Sequence, residues 1–387
     1  MLSKQISNLN SSSNKPKILS LFSGCGGLDL GFHQAGCETV WANDFSHWAC
    51  ESFRKNIGDV IVEGDIEQIN PNDPTIPDCD IILGGFPCQD FSMIWKQPGL
   101  EGERGNLYKS FLRFVNAKKP KVFVAENVKG LLTANKKKAI QQIITDFENC
   151  GYYVQAKLYN FAEFGVPQFR ERVLIVGVRL DTGFDFRHPE PTHNETGENG
   201  LKPYVTAGQA ISNIPQNASN NELLKISDKT RRMLELIPEG GNFTDIPKDH
   251  PLYVKGMISH VYRRMHRNEP SKTIIAAGGG GTWGYHFPEP RAFTNRERAR
   301  LQSFPDDFEF VGSTTEVRRQ IGNAVPPQGV VELAKSILPI FSDNYEKVDL
   351  HEKLVEEKEI LFHDRLSKIR GGNNEYSFFQ YRQCQNH

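Results

Sequence analysis

No apolar stretch in these 387 residues approaches the roughly 18 that a membrane-spanning helix requires. The start, Met1 to Pro16, is rich in Ser, Asn and Lys and lacks the apolar core of a secretory signal. Both absences predict an intracellular, cytoplasmic chain without membrane contact. Seven cysteines, at positions 25, 37, 50, 79, 88, 150 and 384, include no Cys-x-x-Cys pair and form no paired framework. Neither disulfides nor a zinc site is indicated, and no metal is expected. Net charge is also missing: 46 Lys and Arg face 47 Asp and Glu, a formal −1. A uniform nucleic-acid coat is excluded, so any positive surface must be local.

What is present begins with Cys88. The run Cys79-Asp80-Ile81-Ile82-Leu83-Gly84 reads as a short buried strand, closed by Gly85-Phe86-Pro87 before Cys88, Gln89, Asp90, Phe91 and Ser92. The carboxyl edge of such a strand is where open α/β sheets bind ligands. A free thiol is a strong intrinsic nucleophile even when mostly protonated, although a lone buried cysteine is more often a small hydrophobe. A second apolar run, Lys121 to Ala125, leads into Glu126-Asn127-Val128. A soft nucleophile and a carboxyl group thus come to one rim, which points to covalent chemistry on an electrophilic ring. Gln168, Arg170 and Arg172 precede a third apolar run, Val173 to Val178, and alternation places them on one face if extended.

Nearer the start, Lys17 to Phe22 reads as a strand entering a glycine turn at Gly24, Gly26 and Gly27. The spacing is not Gly-x-Gly-x-x-Gly, and the turn alone suits a dehydrogenase as well as a methyltransferase. Further strands at Thr39–Asn43 and Val60–Val62 end at Asp44-Phe45 and Gly64-Asp65-Ile66. A carboxylate after such a strand accepts hydrogen bonds from ribose hydroxyls, or caps the next helix. Phe45 either lies against a base or packs in the core.

In this order, Phe22-Ser23-Gly24-Cys25-Gly26-Gly27, Gly64-Asp65-Ile66, Pro87-Cys88-Gln89, Glu126-Asn127-Val128, Gln168-Phe169-Arg170-Glu171-Arg172, Arg296-Glu297-Arg298-Ala299-Arg300 and Gly322-Asn323-Ala324-Val325-Pro326-Pro327 resemble the blocks of the DNA (cytosine-5) methyltransferases. The likeness runs from about Lys17 to Ile340. It implies an α/β fold, a Rossmann-like sheet with helices on both faces that binds S-adenosylmethionine, and a smaller loop-rich target-recognition domain. It implies transfer of a methyl group to C5 of a flipped-out cytosine in a short duplex DNA sequence, in partnership with a restriction endonuclease and as a monomer.

By the same resemblance, Cys88 attacks the ring, Glu126 assists at N3, and Arg172, then Arg170, hold the base. Phe22, Ser23, Gly24, Gly26 and Gly27 hold the amino-acid end of the cofactor, Asp44 its ribose, Phe45 its adenine face, and Asp65 and Ile66 the adenine edge. Gly85, Pro87, Asn323 and Val325 complete that pocket. The family often has Glu then Trp where Asp44 and Phe45 stand. Gln89 and Ser92 begin a glycine-bearing segment suited to closing over DNA.

After Val178 the strand and helix alternation fades. Five units are expected: an extension at 1–16, a catalytic and cofactor domain at 17–180, the recognition domain at 181–289, a return at 290–341 and a solvated charged appendage at 342–387. Within 225–275, ten Lys or Arg face six Asp or Glu, a bias suited to phosphates. Arg263, Arg264 and Arg267 in that stretch, and Gly280, Thr282, Tyr285 and His286 in and after the glycine run that follows it, are the candidate DNA contacts. Two rival readings stand beside this one: an RNA cytosine methyltransferase, and a catalytically silent DNA-binding repressor of the same fold.

Overall fold

The computed structural model describes residues 15–87, 107–256, 262–276, 284–342, 345–359 and 369. Its core is a seven-stranded sheet built from β1 (Lys17–Leu21), β2 (Glu38–Asp44), β3 (Ile61–Glu63), β4 (Ile81–Gly84), β5 (Val122–Val128), β6 (Tyr152–Asn160) and β7 (Glu171–Arg179). The strand order is β3-β2-β1-β4-β5-β7-β6. The ladder is parallel from β3 to β5, and β7 runs antiparallel between β5 and β6. Buried parallel strands carry apolar residues on both faces. That is why the runs at Lys17, Thr39 and Ile81 were legible as strands.

Four helices connect these strands: α1 (Gly27–Gln34), α2 (His47–Asn56), α3 (Leu107–Lys118) and α4 (Lys138–Asn149). Further along lie a small β8–β9 pair (His193–Asn194 with Lys202–Pro203), α5 (Ala207–Ile211), α6 (Asp228–Leu236), α7 (Asn295–Leu301), α8 (Thr314–Asn323), α9 (Pro327–Ile337) and α10 (Leu350–Glu359). Alternation along the strands sorts the core into two layers. Ile18, Leu83 and Val124 pack with Phe32 of α1 and Leu333 of α9. Leu19, Ile82 and Phe123 pack with Phe111 of α3 and Phe147 of α4.

α7 starts at Asn295, because Thr294 and Glu297 form a capping box. Its Arg296 is wholly buried and donates to the Ser219, Pro305 and Phe308 carbonyls at 2.9, 2.9 and 2.7 Å, a structural role. Residues 181–289, expected to form a unit of their own, share a core with the return segment. Ala207, Met265 and Phe287 lie in one apolar cluster with Phe293, Phe304 and Ile321, and with Cys25 of the glycine turn. Among the described residues, a small cluster around Met233, Ile237 and Ile246 is internal to that stretch.

The appendage beyond residue 341 departs from expectation over the part described. Leu350 and Leu354 of α10 are 1% and 7% exposed and belong to the core layer of α1 and α9. Tyr153 of β6 donates to Glu357 at 2.8 Å, and Lys353 donates to Asp185 at 2.7 Å. By Ile369, 4% exposed, the chain has joined the opposite layer. The high charge of the segment concealed this, whereas the i, i+4 spacing of Leu350 and Leu354 was the available signal. Leu350→Ala is therefore expected to lower unfolding free energy by about 2–5 kcal/mol in chemical denaturation. A free appendage would show no change.

Candidate functional site

The carboxyl edge of β1, β2, β4 and β5 gathers two groups of residues. On the first side, β1 ends at Leu21 and the chain turns through Phe22 and Gly24, at φ 54° and 56°. Such left-handed backbone is strained for Phe22 and holds only where neighbours enforce it. They do so here: Ser23 N donates to Asn43 O at 3.0 Å and Ser23 Oγ to Ser20 O at 2.9 Å. Gly24 N and Ser46 N donate to the two oxygens of Asp44 at 2.8 and 2.9 Å. Burial pushes the Asp44 pKa up from its ordinary value, and these amides oppose the shift. Each oxygen keeps a lone pair for a further donor.

Phe45, next to this carboxylate, is 76% exposed, so core packing is not its role. α1 starts at Gly27, where an added Cβ would run into the Val325 carbonyl. A side chain there would separate the glycine turn from the return segment. Val325 is buried, and Asn323 is the exposed last residue of α8. Ile66 is buried, while Asp65 is exposed and accepts from Glu67 N at 2.9 Å as the cap of a short 3₁₀ turn.

Behind the turn lies a residue to which the sequence assigned no role. Asp29 of α1 is fully buried and accepts from Ser20 Oγ and Thr39 Oγ1, both at 2.9 Å. Burial lifts its pKa to about 6 against the pull of those hydroxyls. His33 Nε2 accepts from Thr39 N at 3.0 Å and extends the network. An acid inside the apolar stripe of a helix was the signal that could have revealed it.

On the second side, Gly85, Phe86 and Pro87 follow β4. Asn127 Nδ2 donates to Phe86 O at 2.9 Å, which pins that turn to β5. A Cβ on Gly85 would stand 3.0 Å from Glu126 Oε2, so the glycine lets the turn pass close to the carboxyl group. Glu126 Oε1 and Arg172 Nε form an ion pair at 2.8 Å, with side chains 12% and 15% exposed. Strand register explains the match. Arg172 is opposite Val128 and Leu174 is opposite Glu126, so the pair is diagonal on one face of β5 and β7. Burial raises the Glu126 pKa, while the charges of Arg172 and Arg170 hold it back.

Arg170 is placed differently from Arg172, because the strand starts only at Glu171 and its alternation does not extend back to it. Arg170 is 1% exposed and donates to the Ile274, Gly322 and Ala324 carbonyls at 3.0, 2.9 and 3.0 Å. Gln168, also buried, donates to Leu301 O and the Gln302 side chain. Cys88, Gln89 and Ser92 lie outside the described residues.

In the basic stretch, Arg264 is turned inward. It is 8% exposed and donates to the Leu234, Ile237, His286 and Phe287 carbonyls, so its guanidinium is a strut and does not present itself to a base edge. Tyr285 and His286 are likewise buried, at 3% and 6%. Arg267 is exposed and bonded to Glu239, with both carboxylate oxygens 3.0 Å from Nε. Arg263 is half-buried. Gly280 and Thr282 lie outside the described residues. Among the described residues no group of three or more His, Cys, Asp or Glu is arranged for a metal ion, and no helix is long and apolar enough to cross a membrane.

The model of the C-5 cytosine-specific DNA methylase family matches residues 16–339. The Type II methyltransferase M.BbvI of Brevibacillus brevis is 43% identical over 345 residues, 83% of this chain and 90% of that protein. The Type II methyltransferase M1.HphI of Haemophilus parahaemolyticus is 36% identical over 335 residues, 83% of this chain and 86% of that one. Among solved structures, the S. pombe Dnmt2 methyltransferase superposes with a TM-score of 0.60 over 85% of this chain and all of its own, at 18% identity, a likeness of fold.

The buried acid behind the glycine turn yields a pH test. With a folded pKa near 6 and an ordinary value of 3.8, Asp29 binds more proton in the folded state between those values. Its contribution to stability therefore falls as pH rises through that window, by roughly 3 kcal/mol in total, and is constant above it. Denaturation of wild type and Asp29→Asn across that range should show the wild type losing ground to the variant as pH rises. A difference that stays flat or moves the other way would remove the effect.

Proposed function

Because this chain belongs to the C-5 cytosine-specific DNA methylase family and is a DNA cytosine-5 methyltransferase, we propose that it methylates C5 of one flipped-out cytosine in a specific short duplex sequence through a covalent Cys88 adduct. One observation carries this reading: the half-buried Glu126–Arg172 pair stands against the Gly85 turn, whose last residue, Pro87, directly precedes Cys88.

Cytosine C5 is a weak nucleophile until a thiolate adds to C6. Cys88 supplies that sulfur and Glu126 a proton at N3, so the electron pair released from the 5,6 double bond settles on C5. Arg172 holds the O2 edge while Glu126 serves N3. After C5 takes up the methyl group, its hydrogen leaves to solvent as a proton, the double bond re-forms, the thiolate is expelled and N3 returns its proton to Glu126. The base must leave the stack for these approaches, at a cost of a few kcal/mol.

The residues present fit S-adenosylmethionine. The turn leaves open space at Gly24, Asp44 keeps acceptor capacity, and Phe45 offers an uncovered ring beside it. When bound, the cofactor supplies the electrophilic methyl group. Asp65, Ile66, Gly85, Pro87, Asn323 and Val325 are the further candidates for that pocket. Arg263 and Arg267 remain candidate DNA contacts, and the homologues named as Type II methyltransferases support a protective role beside a restriction endonuclease. The chain acts as a monomer in this reading.

Labelled-methyl transfer tests the reading. Duplex DNA should accept label from the wild type and tRNA should not. Cys88→Ala should abolish incorporation, and Glu126→Gln should slow it by about 10²- to 10⁴-fold. Bisulfite sequencing of a plasmid from an expressing host should reveal the methylated sequence, and 5-fluorocytosine in that position should trap a denaturation-resistant adduct. Recovery of noncovalent complex alone would remove Cys88 as nucleophile, and label entering only tRNA would overturn the choice of substrate.

A further inference from the structure

The helix α3 carries an arginine that the proposed chemistry does not use. Arg113 lies on the exposed side of α3, yet its guanidinium is engaged with backbone: Nη2 donates to Ile66 O at 2.7 Å and Nη1 to Glu67 O at 3.4 Å. Both acceptors belong to the 3₁₀ turn Ile66–Gln68, which Asp65 caps. On its incoming side that turn is fixed by β2. Gly64 N donates to Asp44 O at 2.9 Å, and Asn43 Nδ2 donates to Gly64 O at 3.0 Å. Ile66 itself packs in the core with Trp41 and Val115.

The outgoing side is open. A cleft of about 390 Å³ lies there, lined by Gln68, Ile69, Asn70, Asn72, Arg113 and Asn116. Side-chain packing does not close the turn from that direction, and the guanidinium holds it instead. Lys118, at the end of the same helix, makes a comparable bond to Ile76 O at 2.6 Å, further along the chain. What the turn presents is a donor beside an acceptor. Asp65 Oδ1 accepts from Glu67 N at 2.9 Å, and among the described residues Oδ2 and the Ile66 amide have no partner. A carboxylate oxygen next to an N–H complements the amino edge of adenine, where N6 donates and N1 accepts. Hypoxanthine reverses both groups, since its O6 accepts and its N1–H donates.

We infer that Arg113 is a positioning residue for the cofactor's base: by holding the Ile66 and Glu67 carbonyls it aims the Asp65–Ile66 pair at adenine and sets the preference for an adenosyl over an inosyl ligand. The inference rests on the proposed reading of Asp65 and Ile66 as the adenine edge. Arginine suits the task because its planar fork reaches two carbonyls at once, which a lysine ammonium does not. A recognition pair tolerates little displacement, so a loosened turn weakens the ligand that uses both groups and spares the one that already mismatches them.

The test measures, by calorimetry on the full chain, the affinity for S-adenosylhomocysteine and for S-inosylhomocysteine, together with thermal unfolding of the free proteins. The wild type should prefer the adenosyl ligand by about ten- to hundredfold. Arg113→Gln should lose roughly three- to tenfold in affinity for that ligand and keep its affinity for the inosyl one, so the ratio falls by the same factor. Its unfolding midpoint should stay at the wild-type value, because the residue is exposed. Arg113→Lys should recover part of the ratio, and Lys118→Gln, which removes the bond to Ile76 O, should leave the ratio unchanged. A wild-type ratio in Arg113→Gln overturns the assignment. So does an equal loss for both ligands or a lowered midpoint, which would mean general support of the fold, or an equal fall in Lys118→Gln, which would mean loosening of the whole segment. In each of these cases a discriminating wild type leaves the adenine edge standing. A wild type that binds the two ligands equally would remove that edge, and the role of Arg113 with it.

Discussion

A single buried guanidinium joins three distant parts of the chain. Arg170, just before β7, holds the carbonyls of Ile274, Gly322 and Ala324, and so ties the stretch after the basic segment and the end of α8 to the sheet. Burial and the nearby Arg172 charge lower its pKa to about 9, with Glu126 opposing. A charge so deep is tolerated because carbonyl dipoles replace water around it. Removing it would leave buried carbonyls without donors, which is the costly way to lose a hydrogen bond. The seam between Gly27 and Val325 follows from this tie, since Val325 directly succeeds the Ala324 carbonyl that Arg170 holds.

The rim then has two characters. Around Asp44 the donors are main-chain amides in fixed positions, with an exposed ring beside them. Around Glu126 the chemistry is carried by side chains whose charges constrain one another. Arg172 sits diagonally across the ladder from Glu126, and Gly85 leaves the second carboxylate oxygen accessible. Backbone positions one side and register positions the other, and the parallel strand ends bring both to the same edge.

Much of this was legible in order and type. Strands buried on both faces announce themselves as apolar runs, so β1, β2, β4 and β7 were found with their ends nearly in place. β5 runs on through Glu126 to Val128, beyond the apolar run that marked it, because Asn127 turns back to the Phe86 carbonyl instead of leaving the ladder. β6 escaped notice, its Gln155 and Lys157 interrupting the apolar pattern at the open edge of the sheet. Arginines were the least legible residues. A sequence counts Arg170, Arg264 and Arg296 as charge, whereas the fold uses all three to satisfy carbonyls, and nothing in their spacing separates a strut from a surface contact. Phe45 was an even choice between core and ligand until its exposure decided for the surface.

The passage of the C-terminal stretch from one apolar layer, at Leu350, to the other, at Ile369, has a consequence for biosynthesis. α10 is tied to β6, the outermost strand of the sheet, through the Tyr153 hydroxyl and Glu357, a partner translated 204 residues later. While the nascent chain is still emerging, that flank stays bare, and an uncovered strand edge is where chains pair wrongly with one another. The layer that Leu350 and Leu354 complete therefore closes later in synthesis than the sheet on which it packs.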